Sequence, residues 1–262
     1  MNQKSLTDDL KISLTRELIT PKVVMDEFPM TKKATETVVN ARQDIINILN
    51  NSDNRFMLVV GPCSIHDIDA AMEYGEKLKE INKTVKQNIL IIMRVYFEKP
   101  RTVIGWKGLI NDPNLDNSFE INKGVKIARK LLLDLAEIGI PSGHEYLDLI
   151  SPQYISDLVS WGAIGARTTE SQSHRELASG LSCPVGFKNG TNGEVQIAID
   201  AMKAAQRSHN FLSVTKDGKS AIFSTTGNQD CHIILRGGKT TNYSHKHVEE
   251  VSTLLQKNKF RP

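Results

Sequence analysis

Residues 89–93, Ile-Leu-Ile-Ile-Met, form an unbroken apolar run that the chain leaves through Arg94, Glu98, Lys99, Arg101 and Lys107, with Pro100 and Gly105 as punctuation. A strand apolar on both faces belongs inside a parallel sheet covered by helices. The arrangement recurs along the chain. Phe56–Val60 runs into Gly-Pro-Cys-Ser-Ile-His-Asp at 61–67, and a strand over 144–149 carries Glu145. Strands over 163–166, 184–188 and 231–235 deliver Arg167, Lys188 and Arg236. Apolar positions at helical spacing, with caps and stops, predict helices over 31–49, 70–85, 121–138, 151–162, 171–179, 194–206 and 244–257. Lys216-Asp217-Gly218-Lys219 between two strand-like runs predicts a hairpin. Residues 1–30 read as an extension, with a short strand or helix over 5–18 broken at Thr20-Pro21 and Phe28-Pro29.

Alternating strands and helices make the chain α/β. A doubly wound sheet and an eight-stranded barrel both fit that alternation. Polar residues at one strand end after another fit a barrel rim better than a single switch point. About six strands are expected, where a closed barrel needs eight. At 262 residues with 39% hydrophobic and 24% charged content, the chain is long enough for one such domain with a large core. The expected organisation is an arm and helix over 1–50 and a partial barrel over 51–262.

A net charge of only +3, from 33 Lys+Arg against 30 Asp+Glu, argues against a nucleic-acid partner. The polar N-terminal segment has no leader pattern and no run is long enough for a membrane span, so the expected location is the cytoplasm. Cys63, Cys183 and Cys231 are odd in number and widely spaced, which implies neither a disulfide framework nor a CxxC zinc site.

Six cations, Arg94, Lys99, Arg101, Arg167, Lys188 and Arg236, follow apolar strands directly. Arg offers a planar fork to phosphate and carboxylate, and Lys a movable point charge. Strand ends are also simply where chains become polar, but repetition over four strand ends favours one anion site. Cys63 and His66 suit a divalent metal by donor type, although CxxH spacing alone is weak and an isolated Cys is more often buried and inert. Cys183, Cys231 and His232 read as structural. Neither GxGxxG nor a Walker A pattern occurs, so no nucleotide is indicated.

Gly-Pro-Cys-Ser-Ile-His-Asp (61–67), Met-Arg-Val-Tyr-Phe-Glu-Lys-Pro-Arg-Thr (93–102), Ile-Gly-Ala-Arg-Thr-Thr-Glu-Ser-Gln (164–172), Pro-Val-Gly-Phe-Lys-Asn-Gly-Thr (184–191) and His-Ile-Ile-Leu-Arg-Gly-Gly-Lys (232–239) occur in this order. Together they resemble the type I 3-deoxy-D-arabino-heptulosonate 7-phosphate (DAHP) synthases, most of all the microbial isoenzymes regulated by an aromatic amino acid. The resemblance covers essentially the whole chain. It implies a TIM (β/α)8 barrel with an N-terminal extension and a β-hairpin insertion. It implies condensation of phosphoenolpyruvate with D-erythrose 4-phosphate at the entry to aromatic amino acid biosynthesis. It assigns Arg94, Lys99, Arg167, Lys188 and Arg236 to phosphoenolpyruvate, with Glu145 nearby, and Lys99, Pro100, Arg101 and Thr102 to the sugar phosphate. Lys99 becomes a candidate proton donor, and Cys63 one ligand of a divalent metal (Mn, Fe, Co or Zn).

The resemblance also implies that the other metal ligands, a His, a Glu and an Asp, stand on two strands expected beyond Pro262, so the chain reads as C-terminally truncated. It places an aromatic amino acid effector near Ser151, Pro152, Leu181, Ser182, Phe211 and Ser213, with phenylalanine favoured by the Ser182 hydroxyl, and implies a homo-oligomer. Two alternatives are weighed: an inactive barrel that binds anions or a full-length subunit, and a 3-deoxy-octulosonate 8-phosphate synthase, a sister family without the Lys-Pro-Arg-Thr signature.

Overall fold

The computed structural model describes residues 7–262, so the start of the extension, Ser5 included, lies outside the described residues. The elements run α1 (Pro21–Glu27), α2 (Lys32–Leu49), β1 (Phe56–Val60), α3 (Ile68–Val85), β2 (Ile89–Arg94), α4 (Ile121–Glu137), β3 (Ser142–Tyr146) and α5 (Pro152–Ile155). A 3-10 turn over Ser156–Leu158 leads into β4 (Val159–Ile164), α6 (Gln172–Gly180), β5 (Val185–Lys188), α7 (Gln196–Ala205), β6 (Asn210–Val214), β7 (Ser220–Ser224), β8 (Cys231–Ile234) and α8 (His245–Lys257). None of these helices is long and apolar enough to cross a membrane.

Six strands form one parallel sheet in the order β1-β2-β3-β4-β5-β8, and β6 and β7 pair as the expected antiparallel hairpin. Adjacent strands pair in parallel at each step, with the β6–β7 hairpin inserted between β5 and β8, and the sheet curls into an arc of a barrel whose edges are β1 and β8. Its convex face carries the helices. The buried side of α4, Val125, Ala128, Leu131, Leu132 and Leu135, packs into the same core as Ile91 and Met93 of β2. Each fully buried leucine there is worth about 2 kcal/mol of burial.

The concave face holds Leu90 and Ile92 of β2 with Trp161 and Ala163 of β4, and Ala41 and Ile45 of α2 pack against them. α2 sits at the N-terminal ends of the strands, because Arg42 donates to the Val159 carbonyl, where β4 begins, at 2.7 Å. That end of the arc is plugged and the other is free for chemistry. Gly143 makes room on the concave face, since a Cβ there would lie 2.9 Å from the Trp161 ring. Trp161 Nε1 donates to His232 Nε2 at 2.8 Å, and burial lowers the His232 pKa, so this histidine is structural as expected.

Three elements differ from the sequence reading. Thr20-Pro21 starts a helix instead of ending one: Thr20 caps Val23 and Pro21 occupies the first turn, where its fixed φ and missing N–H cost nothing. The helix expected over 151–162 stops at Ile155, and Val159–Ile164 is a fully buried strand. β3 lies earlier than expected, over Ser142–Tyr146, with all five residues buried despite its poor strand formers, so tertiary context overrides propensity.

Arg129 of α4 has no exposed side-chain surface and ties the layers together. It forms a bidentate pair with Asp157 at 2.8 and 2.9 Å and donates to the carbonyls of Phe28 and Tyr154. Removing it leaves a carboxylate and two carbonyls without their donor. Arg129→Ala is expected to lower unfolding stability by about 3 kcal/mol in urea denaturation, at the lower end for broken buried pairs because Asp157 is partly exposed.

Candidate active site

The free end of the arc collects what the strands deliver. Arg94 closes β2, Glu145 lies on β3, Arg167 follows β4, Lys188 closes β5 and Arg236 follows β8. All five line one cavity of about 330 Å³ with Lys99, Pro100 and Arg101. Eight of the nine residues expected to bind substrate are therefore brought together. Thr102 is exposed on the loop beyond them. A second cavity of about 740 Å³ shares Lys99, Arg101 and Leu147 and extends along the loop past Ile104, Trp106 and Lys107 to Asp112.

The first cavity presents six cations against two carboxylates, Glu98 and Glu145. Such crowding is unfavourable unless each charge has a partner. Lys188 forms an ion pair with Glu145. The Arg94 guanidinium stacks 3.8 Å above the Tyr96 ring, a cation–π contact that holds the side chain without neutralising it. Arg94 donates to the Cys63 carbonyl at 3.1 Å, while its buried Nε finds no acceptor among the described residues. Arg167 donates to the Pro100 carbonyl and Arg236 to the Thr191 carbonyl, each at 3.3 Å, so both lean on backbone rather than on acids. The site is an excess of donors fixed in place, which suits a ligand carrying phosphate and carboxylate.

Cys63 stands beside this cavity, its Sγ 3.0 Å from Lys99 Nζ. That ammonium, with Arg94 and Arg101 farther off, lowers the thiol pKa below its ordinary value. Burial instead pushes the Cys183 thiol up to about 11 and that of Cys231 to about 12, in keeping with inert core cysteines. Cys63 is one thiolate donor of the kind a divalent metal takes. Among the described residues no group of three or more His, Cys, Asp or Glu could hold an ion with it, and His66 is exposed. The described residues do not by themselves make a metal site.

The effector candidates are spread over several elements. Ser151 and Pro152 are buried at the start of α5, Leu181 and Ser182 follow α6, and Phe211 and Ser213 lie on β6 opposite Phe223 and Ala221. The hairpin reaches α5 through a hydrogen bond from Lys216 to the Gln153 carbonyl. Two site residues were missed in the sequence. Tyr96 lies two positions after Arg94, the spacing that keeps extended residues on one face. Glu98 was read as one of several loop charges.

Residues 27–262 match the DAHP synthetase I family. The chain belongs to this family. It is 61% identical over 250 residues to the Phe-sensitive phospho-2-dehydro-3-deoxyheptonate aldolase of Escherichia coli, covering 95% of this chain and 71% of that protein. It is 52% identical over 250 residues to a Trp-sensitive counterpart from Enterobacter agglomerans, with 95% and 71% coverage. The structure of the corresponding aldolase from Francisella tularensis superposes with a TM-score of 0.94 at 56% identity, over 95% of this chain and 73% of that one. A barrel arc with its cations on one rim is thus the architecture of this DAHP synthase family member.

The Lys99 ammonium is what favours the Cys63 thiolate. Lys99→Met is expected to move the pH midpoint of Cys63 alkylation upward, with chelator present, while leaving Cys183 and Cys231 unreactive in the folded protein. An unchanged midpoint would show that the contact carries no charge stabilisation.

Proposed function

We propose that this chain carries the condensation of phosphoenolpyruvate with D-erythrose 4-phosphate and water to give DAHP and inorganic phosphate. The supporting observation is the 330 Å³ cavity, in which Arg94, Arg167, Lys188 and Arg236 converge from four strand ends with Lys99 and Arg101. Phosphoenolpyruvate brings a phosphate and a carboxylate on a three-carbon frame. Arginine forks and the Lys188 point charge suit both groups. The adjoining cavity past Lys99 and Arg101 has the volume for the sugar phosphate, with Lys99, Arg101 and Lys107 as its cations.

In this reading C3 of the enol attacks the aldehyde carbon, and the aldehyde oxygen becomes a hydroxyl by taking a proton from Lys99. Water adds to C2 and loses one proton, for which Glu145, one of the two carboxylates lining the cavity, is the candidate acceptor. The C2 hydroxyl then passes its proton to the departing phosphate oxygen as the C2–O bond to phosphate breaks, which leaves the C2 ketone and inorganic phosphate. The cations hold two anions together against their repulsion and orient them, which is where positional catalysis gains most. A divalent metal (Mn, Fe, Co or Zn) would take Cys63 as one donor and needs further donors that the described residues do not supply.

Control by an aromatic amino acid is part of the same reading. The 61% identical relative is named Phe-sensitive and the 52% identical one Trp-sensitive, so phenylalanine is the favoured effector. Ser151, Pro152, Leu181, Ser182, Phe211 and Ser213 are its candidate contacts. A homo-oligomer fits the surface: Leu212 and Ile222, paired across the hairpin, are 87% and 74% exposed, and Leu10, Ile12 and Leu14 of the arm are exposed as well. A cytoplasmic location goes with this reading.

The test is release of inorganic phosphate from phosphoenolpyruvate that depends on erythrose 4-phosphate, with and without added divalent metal. Lys188→Met is expected to reduce kcat/KM for phosphoenolpyruvate by about a hundredfold, the scale of one lost charge-assisted contact in a buried site. Phosphate release independent of the sugar, or an unaffected variant, would contradict the reading.

A further inference from the structure

Glu98 is a carboxylate where a charge is expensive. It is 3% exposed, in the loop leaving β2, next to Lys99. Its oxygens are nevertheless occupied. Oε1 accepts from the Asp148 N–H at 3.2 Å, and Oε2 accepts from the Ser151 hydroxyl at 3.2 Å and the Leu147 N–H at 3.4 Å. These donors all belong to the turn that carries the chain from β3 into α5.

A fourth contact places His144 Nε2 at 3.4 Å from Oε2, with the imidazole fully buried on β3. His144 Nδ1 lies 2.9 Å from the Val95 carbonyl. A carbonyl only accepts, so Nδ1 carries a hydrogen. A neutral imidazole has one N–H, and Nε2 would then face the carboxylate as a second acceptor. The contact is attractive only when one further proton lies between the two side chains. The buried pair is then neutral as a unit, which offsets much of the cost of burying Glu98.

The other side of Glu98 fixes the loop. Its backbone bridges to Gly108 in antiparallel fashion, and the Lys99 N–H donates to the Lys107 carbonyl at 2.9 Å. Gly108 has φ 113°, and a Cβ there would lie 2.0 Å from the Phe97 carbonyl oxygen, so only glycine permits this approach. One carboxylate thus fastens the base of loop 98–108 to the exit of β3, while the loop carries Lys99, Pro100 and Arg101 into the cavity. The strand-borne cations Arg94 and Lys188 do not depend on it.

We propose that Glu98, keyed to His144, is a positioning residue that sets the Lys99–Arg101 loop for the sugar phosphate. The assignment rests on the substrate reading above. Its signature is a split between ligands, which a merely structural residue would not produce. In calorimetric titrations, Glu98→Ala is expected to weaken erythrose 4-phosphate binding by at least about tenfold and phosphoenolpyruvate binding by a clearly smaller factor, because Lys99 is shared but Arg94 and Lys188 stand on strands. Glu98→Gln, which keeps one acceptor oxygen, should fall between Glu98→Ala and the unsubstituted chain. Equal losses for both ligands, or none, overturn the proposal. If Glu98→Ala does not fold, the Glu98→Gln split decides alone. If the unsubstituted chain binds neither ligand, the substrate reading fails. Hydrogen exchange then still decides the positioning role: Glu98→Gln must accelerate exchange at the Lys99 amide while α4 is unchanged, and an unaltered Lys99 amide overturns it.

Discussion

The structure is arranged around a repulsion. Arg94, Lys99, Arg101, Arg167, Lys188 and Arg236 share one rim, with Glu98 and Glu145 as the carboxylates among them. Left alone, such a group would push the strand ends apart or draw in water. The fold holds it with several devices: an ion pair for Lys188, an aromatic face for Arg94, backbone carbonyls for Arg101, Arg167 and Arg236, and a thiol for Lys99. Most of these devices fix position and leave charge uncancelled. The parallel sheet makes this possible, because all its strands point their C-terminal ends the same way and α2 closes the opposite end.

Rigidity under the rim follows from burial on both faces. The arc has one core beneath α4 and another beneath α2. The loop after β2 is the opposite case: Val103 and Ile104 are 86% and 93% exposed at its tip, while Glu98 fastens its base and the Pro100 carbonyl accepts from Arg167. Arg94 and Lys188 therefore stand on strands, and Lys99 and Arg101 on a loop whose base is held by a buried carboxylate.

Much of this was legible in the residues. Continuous apolar runs located β1, β2, β5 and β8, and the hydrophilic residue ending each run located the rim. Asp217-Gly218 located the hairpin, where Gly218 indeed has φ 77°. What failed shares a physical cause. β3 reads Ser-Gly-His-Glu-Tyr and becomes a strand only because its neighbours pair with it on both sides. Val159–Ile164 lies behind a Ser-Pro helix start, and Pro21, a residue that commonly stops a helix, starts one. Glu98 looks like any loop acid until β3 brings three N–H and O–H donors and an imidazole around it. Burial created by distant segments leaves no local trace in sequence.

The central claim is that the rim cations form one preassembled site for a small phosphorylated carboxylate. A crystal soaked with phosphoenolpyruvate tests it most directly. The account predicts the ligand among Arg94, Arg167, Lys188 and Arg236, with Arg94 Nε bonded and the strand ends unmoved. Ligand bound elsewhere, or bound only after these side chains leave the cavity, would contradict it.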